Sequence, residues 1–139
     1  MMKSTIVSLL AVALLIPSLV SAQGQGIENS DKVVDTKFVF ISSSLVASTV
    51  FDVETTFAVI KNPEINVREG NPVIRPFINA GRPATYAFLG GVDTSIIYFS
   101  YRMKKSTNPT IRKLWWVLPV VATASHGFAG GLNLRFTLR

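Results

Sequence analysis

Three long stretches with hardly any charge constrain this chain more than any other feature. They run over residues 38–60, 83–101 and 114–134, and basic residues flank each of them. At 1.5 Å per residue, a helix over each stretch has about the length needed to cross the ~30 Å hydrocarbon core of a bilayer. A mean hydropathy of +0.38 argues against both a disordered chain and an ordinary soluble domain. The sequence therefore predicts an all-α membrane protein with three transmembrane helices.

The first residues are typical of a secretory signal peptide. Lys3 is followed by an apolar run over residues 6–16, then Pro17, and small residues at 20–22 precede a cleavage point. An uncleaved first transmembrane helix is the alternative, and Pro17 and the short apolar core argue against it. The predicted organisation is a signal peptide (1–22), a flexible polar arm (23–37) and a three-helix transmembrane domain (38–139).

Cleavage of a signal peptide would leave the mature N-terminus outside a bacterial cytoplasmic (inner) membrane, which this multi-pass chain would span. The distribution of basic residues mildly opposes that orientation, because positive charge normally favours the cytoplasmic side. The side predicted to face the cytoplasm carries six: Lys61, Arg68, Arg75, Arg82, Arg135 and Arg139. The other side carries seven: Lys32, Lys37, Arg102, Lys104, Lys105, Arg112 and Lys113.

Other classes of protein find little support. The run from Trp115 to Val121 is continuously apolar, whereas a membrane β-barrel needs alternating polarity. The basic residues of the 102–113 loop have no aromatic interleaving, so we expect no nucleic-acid partner. The chain has no cysteine and no phosphate-binding or hydrolase motif, so the sequence requires no cofactor and offers few nucleophiles. The expected partners are the lipid bilayer and either further copies of the chain or a larger membrane complex.

Ionisable residues within the apolar stretches indicate a structural or functional role, because placing each one in the bilayer costs about 2.5–3.5 kcal/mol. Asp52, Asp93 and His126 lie eight to ten residues from the same end of their stretches. At 1.5 Å per residue they therefore lie roughly 12–15 Å deep and nearly level. Helical spacing places Thr55 and Thr56 on the face of Asp52, and it places Asn133 on the face of His126.

Two interpretations of this polar cluster remain open. Its members could hydrogen-bond one another and pin three helices in register. Alternatively, Asp52, Asp93 and His126 could bind a divalent metal or transfer protons. An intramembrane enzyme is a third possibility, but Ser125 adjoins His126, so on a helix their side chains would diverge by about 100°.

The connection between the first two stretches predicts a short interfacial helix over roughly 72–80. Asn71-Pro72 resembles an N-cap followed by proline, and Gly81 resembles a stop. Glu69 and Asn71 could close over the polar cluster or could simply cap this helix. In the third stretch, Gly127, Gly130 and Gly131 predict close helix packing, since Gly127-x-x-x-Gly131 has small-xxx-small spacing.

Two short motifs carry a resemblance. Asp52-x-x-Thr55-Thr56 and Glu69-x-Asn71-Pro72 resemble the D-x-x-T-T … E-x-N-P signature of small multi-pass bacterial membrane proteins of unknown function. The resemblance covers about residues 45–75 and extends to Asn133. It implies a compact helical membrane domain and no established activity. We therefore expect a non-enzymatic accessory or self-associating subunit, with metal or proton handling as the alternative.

Overall fold

In a computed structural model of the chain, residues 32–62 and 69–137 are described. This part is helical and contains no strand, which confirms the all-α prediction for it. The helices are α1 (Thr36–Ile60), α2 (Arg75–Ala80), α3 (Arg82–Lys104), α4 (Pro109–Lys113) and α5 (Val117–Thr137). The predicted signal peptide and most of the predicted polar arm lie outside the described residues.

Helix α1 is the long axis against which the other helices are placed. Asp35 is its N-cap, and its carboxylate accepts a 2.8 Å hydrogen bond from the Phe38 amide, which satisfies one of the free amides at a helix start. The helix therefore begins at Thr36, slightly before the predicted span. Among the described residues, α1 is the one helix long and apolar enough to cross a membrane.

Helix α5 runs parallel to α1 and packs closely along it. At the start of both helices, the Phe38 and Trp115 rings lie 5.6 Å apart. Further along, Asn133 contacts Thr56, so the two helices advance in the same direction. Pro119 lies in the first turn of α5, where a missing amide proton costs no hydrogen bond.

Helix α3 runs antiparallel to α1. Its start lies beside the end of α1 through an Arg82–Glu54 contact, and its end lies beside the start of α1, where the Phe38 and Tyr101 rings are 6.4 Å apart. A small apolar core joins α1, α2 and α3. Its buried members are Val53, Phe57, Ile78 and Leu89.

Helix α2 lies in the connection where a short helix was predicted, but it is shorter. It begins at Arg75 rather than at residue 72, and its N-cap is Ile74, which makes no side-chain cap. Gly81 ends it as predicted, with φ of 98°, a region that side chains other than glycine rarely adopt. The same glycine directly precedes α3.

Helix α4 was not predicted. Asn108 caps it by accepting hydrogen bonds from the amides of Thr110 and Ile111 at 2.9 and 3.4 Å, and Pro109 is its first residue. Asn108-Pro109 has the same pattern of an N-cap followed by proline that predicted a helix start at Asn71-Pro72.

Candidate functional site

The centre of the molecule is a contact between α1 and α5. The His126 Nδ1 lies 2.8 Å from the Asp52 Oδ2, so the imidazole donates Nδ1–H to the carboxylate, which can only accept when ionised. Both side chains are largely buried, with 18% and 15% of their surface exposed. Sequence analysis placed these two residues at one depth, and the structure brings them into contact.

A second polar contact lies further along the same interface. The Asn133 Nδ2 donates to the Thr56 Oγ1 at 2.8 Å. Thr55, the other candidate threonine, is buried but bonds within α1. Its hydroxyl donates to the backbone carbonyls of Phe51 and Asp52 at 2.8 and 3.0 Å. Of the two threonines in the motif, therefore, only Thr56 joins the helices.

Asp93 is the third ionisable member of the cluster and differs from the other two. Its side chain is only 4% exposed, and its Oδ1 has no hydrogen-bond partner in the described part of the chain. It interacts electrostatically with His126. The Thr49 hydroxyl on α1 interacts with the Asp93 carboxyl group across the helices. Neither that hydroxyl nor the Ser100 hydroxyl on α3 forms a hydrogen bond of good geometry with a described residue.

The candidate metal ligands do not assemble into a metal site. Within residues 32–62 and 69–137, no three His, Cys, Asp or Glu side chains come together in a way that could hold a metal ion. Asp52 and His126 form a pair, and Asp93 adds charge without completing a set of ligands. The arrangement can exchange a proton between carboxylate and imidazole.

The residues considered for nucleophilic chemistry are engaged elsewhere. Ser125 donates its hydroxyl to the carbonyl of Val121 at 2.9 Å, along its own helix. The Thr55 hydroxyl is held in the same way by the backbone of α1. Neither hydroxyl is bonded to the His126 imidazole, so a hydroxyl–imidazole pair is not present among the described residues.

Sequence analysis missed an ion-pair cluster near the end of α1. The Glu54 carboxylate accepts hydrogen bonds from Arg82 Nε and Nη2, both at 3.1 Å, and from the Tyr86 hydroxyl at 2.9 Å. The Arg82 guanidinium also lies over the Phe57 ring at 4.9 Å. The sequence contains one indication of this cluster: Arg82 and Tyr86 are four residues apart, so they lie on one face of a helix.

A second missed cluster lies at the opposite end of the bundle. The Lys104 ammonium pairs with the Asp35 carboxylate and lies 4.5 Å from the Trp115 ring centroid and 5.6 Å from that of Phe38. Burial alone would raise the pKa of Asp35, but hydrogen bonds from Lys104 and from the Phe38 amide outweigh it and lower the pKa below its usual value. This cluster joins the end of α3 to the starts of α1 and α5.

Glu69 and Asn71, predicted either to close over the cluster or to cap the short helix, make local contacts. The Glu69 carboxylate accepts from the Asn71 amide at 2.8 Å, and the Asn71 Oδ1 accepts from the Val73 amide at 3.0 Å. Arg75 adds a hydrogen bond from its Nε to the Glu69 carbonyl at 2.8 Å. These contacts order the turn that leads into α2.

The three glycines predicted to pack divide into two kinds. At Gly130 a Cβ would lie 2.5 Å from the Phe51 ring and 3.2 Å from the Asp52 Cα, so only glycine fits. At Gly127 and Gly131 the space is open, with no atom of the described residues within 4 Å of a Cβ. The close approach at Gly130 is what lets His126, one turn earlier, reach Asp52.

In comparisons with protein-family models, with curated proteins and with solved structures, no match to this chain was found. The functional interpretation therefore depends on the geometry of these side chains and on the surfaces that surround them.

Proposed function

We propose that the chain is a small integral protein of the bacterial cytoplasmic membrane. In this proposal α1, α3 and α5 each cross the bilayer, α2 lies at the interface, and the mature N-terminus follows a cleaved signal peptide outside. The D-x-x-T-T and E-x-N-P motifs agree with this, because the proteins that they resemble are small multi-pass membrane proteins. Its function would be non-enzymatic, as a self-associating or accessory subunit of a membrane complex.

The distribution of apolar surface supports the membrane location. Only 28% of the most apolar window of α1 is buried within the chain, whereas the core helix of a soluble protein would be mostly buried. Large apolar side chains are also exposed along α5, among them Val121 at 59% and Phe128 at 71%. Large apolar side chains exposed in this number along one helix suit a lipid environment better than water.

The observation that carries the subunit proposal is the open pair of glycines on α5. Gly127 and Gly131 are four residues apart on one face, and the described residues leave that face uncovered. Glycine lowers helix propensity by about 1 kcal/mol relative to alanine, and nothing among the described residues packs against these two glycines to offset that cost. In a membrane, small-xxx-small faces allow two helix backbones to approach closely.

Association can be tested in mild detergent. We expect the wild-type protein to purify as an oligomer or with a partner, and Gly127→Leu/Gly131→Leu to shift it to a monomer in light scattering. Val121→Leu is the matched control, because it changes an exposed α5 residue without filling the glycine face. A wild-type protein that is strictly monomeric and retains no partner would contradict the proposal.

Proton handling is a second candidate, favoured by Asp93. A buried carboxyl oxygen and the neighbouring Thr49 hydroxyl, close to an imidazole–carboxylate pair, could accept water or a proton. Three helices are too few for a transport pathway, so this function also needs an oligomer. Proteoliposomes with an internal pH dye test it: proton flux should disappear in Asp93→Asn, and an absence of flux in the wild type would remove this candidate.

A further inference from the structure

A largely apolar groove lies where α1 begins and where the chain enters α5. It has a volume of about 720 Å³ and is lined mainly by Lys37, Phe40, Ile41, Lys113, Trp115 and Trp116. This size falls within the range of ~300–1,000 Å³ that is usual for ligand pockets. The groove is separate from the polar cluster and plays no part in the contacts described there.

The groove combines two kinds of chemistry in a fixed order along α1. Lys37 lies in the first turn of that helix, and Phe40 and Ile41 lie one turn further into the apolar segment. Lys113 is the last residue of α4, and Leu114 separates it from the two tryptophans. A ligand that fills the groove would thus meet positive charge at the helix ends and apolar surface deeper along the helix.

Both lysines are available for an anionic ligand. Within the described part of the chain, neither Lys37 nor Lys113 forms an ion pair. The neighbouring carboxylate of Asp35 is already paired with Lys104, so it does not neutralise them. The groove therefore has charge complementarity to an anion and has no described counter-ion of its own.

We propose that this groove binds one anionic phospholipid, with the phosphodiester held by Lys37 and Lys113 and an acyl chain lying along Phe40 and Ile41. The proposal rests on the membrane location proposed above. Tryptophan is typical of the headgroup level of membrane proteins, and basic residues there attract anionic lipids. A free phosphate would use only the lysines and leave the apolar remainder of the groove empty, so the bound species is a lipid.

The two groove tryptophans make a direct test possible, because the sequence contains exactly those two. The full chain is reconstituted in equimolar phosphatidylglycerol and phosphatidylcholine vesicles in which either one lipid or the other carries brominated acyl chains, which quench tryptophan fluorescence. We expect stronger quenching when phosphatidylglycerol is brominated, with a relative association constant roughly fivefold above that of phosphatidylcholine. This is about the effect of one basic residue at an anionic surface.

Two charge-matched variants distinguish the groove from a diffuse basic surface. Lys37→Gln/Lys113→Gln should bring the two quenching values close to equality. Lys105→Gln/Arg112→Gln removes the same charge from the same end of the bundle but outside the groove, and it should keep the preference. An equal loss of preference in both variants would overturn the proposal.

The remaining outcomes are also decisive. Equal quenching by both brominated lipids in the wild type would contradict the lipid site while leaving the membrane location intact. An absence of quenching by either lipid would contradict the membrane location and the site with it. Soluble glycerol phosphate should not change the quenching by brominated phosphatidylglycerol. If it reduced that quenching, the groove would bind a free phosphate ester instead of a lipid.

Discussion

The two long interfaces of α1 are built differently. Along α5, Gly130 brings the backbones together, and short polar side chains complete the contact through Asp52–His126 and Thr56–Asn133. Along α3, the strongest polar contacts are near the ends of the helix, where Arg82 and Lys104 reach carboxylates of α1 and of its N-cap.

The middle of α3 shows what that difference means. The Oδ1 of Asp93 is buried there without a hydrogen bond to any described residue, and a Cβ at Gly90 or Gly91 would have no described atom within 4 Å. In the described part of the chain, the side-chain hydrogen bonds in the middle of the bundle therefore join α1 to α5, whereas the ion pairs of α3 with α1 and its N-cap lie near the two ends of α3. We infer that α5 and α1 form the rigid half of the molecule and that α3 is fixed mainly at its two ends.

The largest expected effect is on the rigid half. Gly130→Leu would place side-chain atoms where the Phe51 ring and the Asp52 backbone lie, so it should lower the free energy of unfolding by about 3 kcal/mol. Gly91→Leu, at an open position on α3 where no described atom lies within 4 Å of a Cβ, serves as the control and should change it little. Unfolding in mixed detergent measures both, and equal effects would show that the helices do not approach at Gly130.

A smaller loss of stability is expected when the contact between Asp52 and His126 is broken. Asp52→Leu leaves the His126 imidazole without its partner, which should cost about 2 kcal/mol and reduce accumulation of the folded protein. The double variant Asp52→Leu/His126→Leu removes both partners and should recover part of that loss. Unchanged expression and melting in the single variant would show that the pair contributes nothing to folding.

Substitution of Asp93, in contrast to that of Asp52, is not expected to lower the stability of the protein. Asp93→Asn keeps the shape of the side chain but removes the cost of burying a carboxylate oxygen that lacks a partner, so stability should stay the same or rise by up to about 1 kcal/mol. The comparison with Asp52→Leu is made in the same unfolding assay. A clear loss of stability in Asp93→Asn would mean that α3 is paired in its middle as well.

The smallest effect is a pH dependence at the end of α3. Because the pKa of Asp35 is lowered, its contribution to stability is complete above its unfolded-state value near 3.8 and is lost as the pH falls through the lower folded value. Tryptophan fluorescence of the folded protein should therefore change in acid, since Trp115 contacts Lys104. Asp35→Asn retains a helix cap and should flatten that change.

Much of the helical frame was predictable because its signals are local. Continuous apolar stretches between charges predicted the regions of the three long helices, and Gly81 predicted the end of α2. Counting residues along the apolar stretches placed Asp52, Asp93 and His126 at one depth, since depth depends only on the helical rise. It did not show that His126 pairs with Asp52 rather than with Asp93. Helix α4 was missed although Asn108-Pro109 carries the same signal as Asn71-Pro72.

The remaining features depend on how the helices rotate and approach one another. Three glycines of α5 look equivalent in sequence, yet only Gly130 faces Phe51. Lys104 turns inward to Asp35 and Trp115, which its position at the end of an apolar stretch does not indicate. Such choices are settled by tertiary packing, which one sequence does not specify.

The membrane topology is the central claim, and cysteine labelling tests it most directly because the chain has no cysteine of its own. Single cysteines at positions 37, 61 and 105 are exposed to a membrane-impermeant maleimide in spheroplasts. Three spans with the N-terminus outside predict labelling of Lys37→Cys and Lys105→Cys at once, and of Lys61→Cys only after the membrane is permeabilised. Immediate labelling of all three positions would contradict the three-span account.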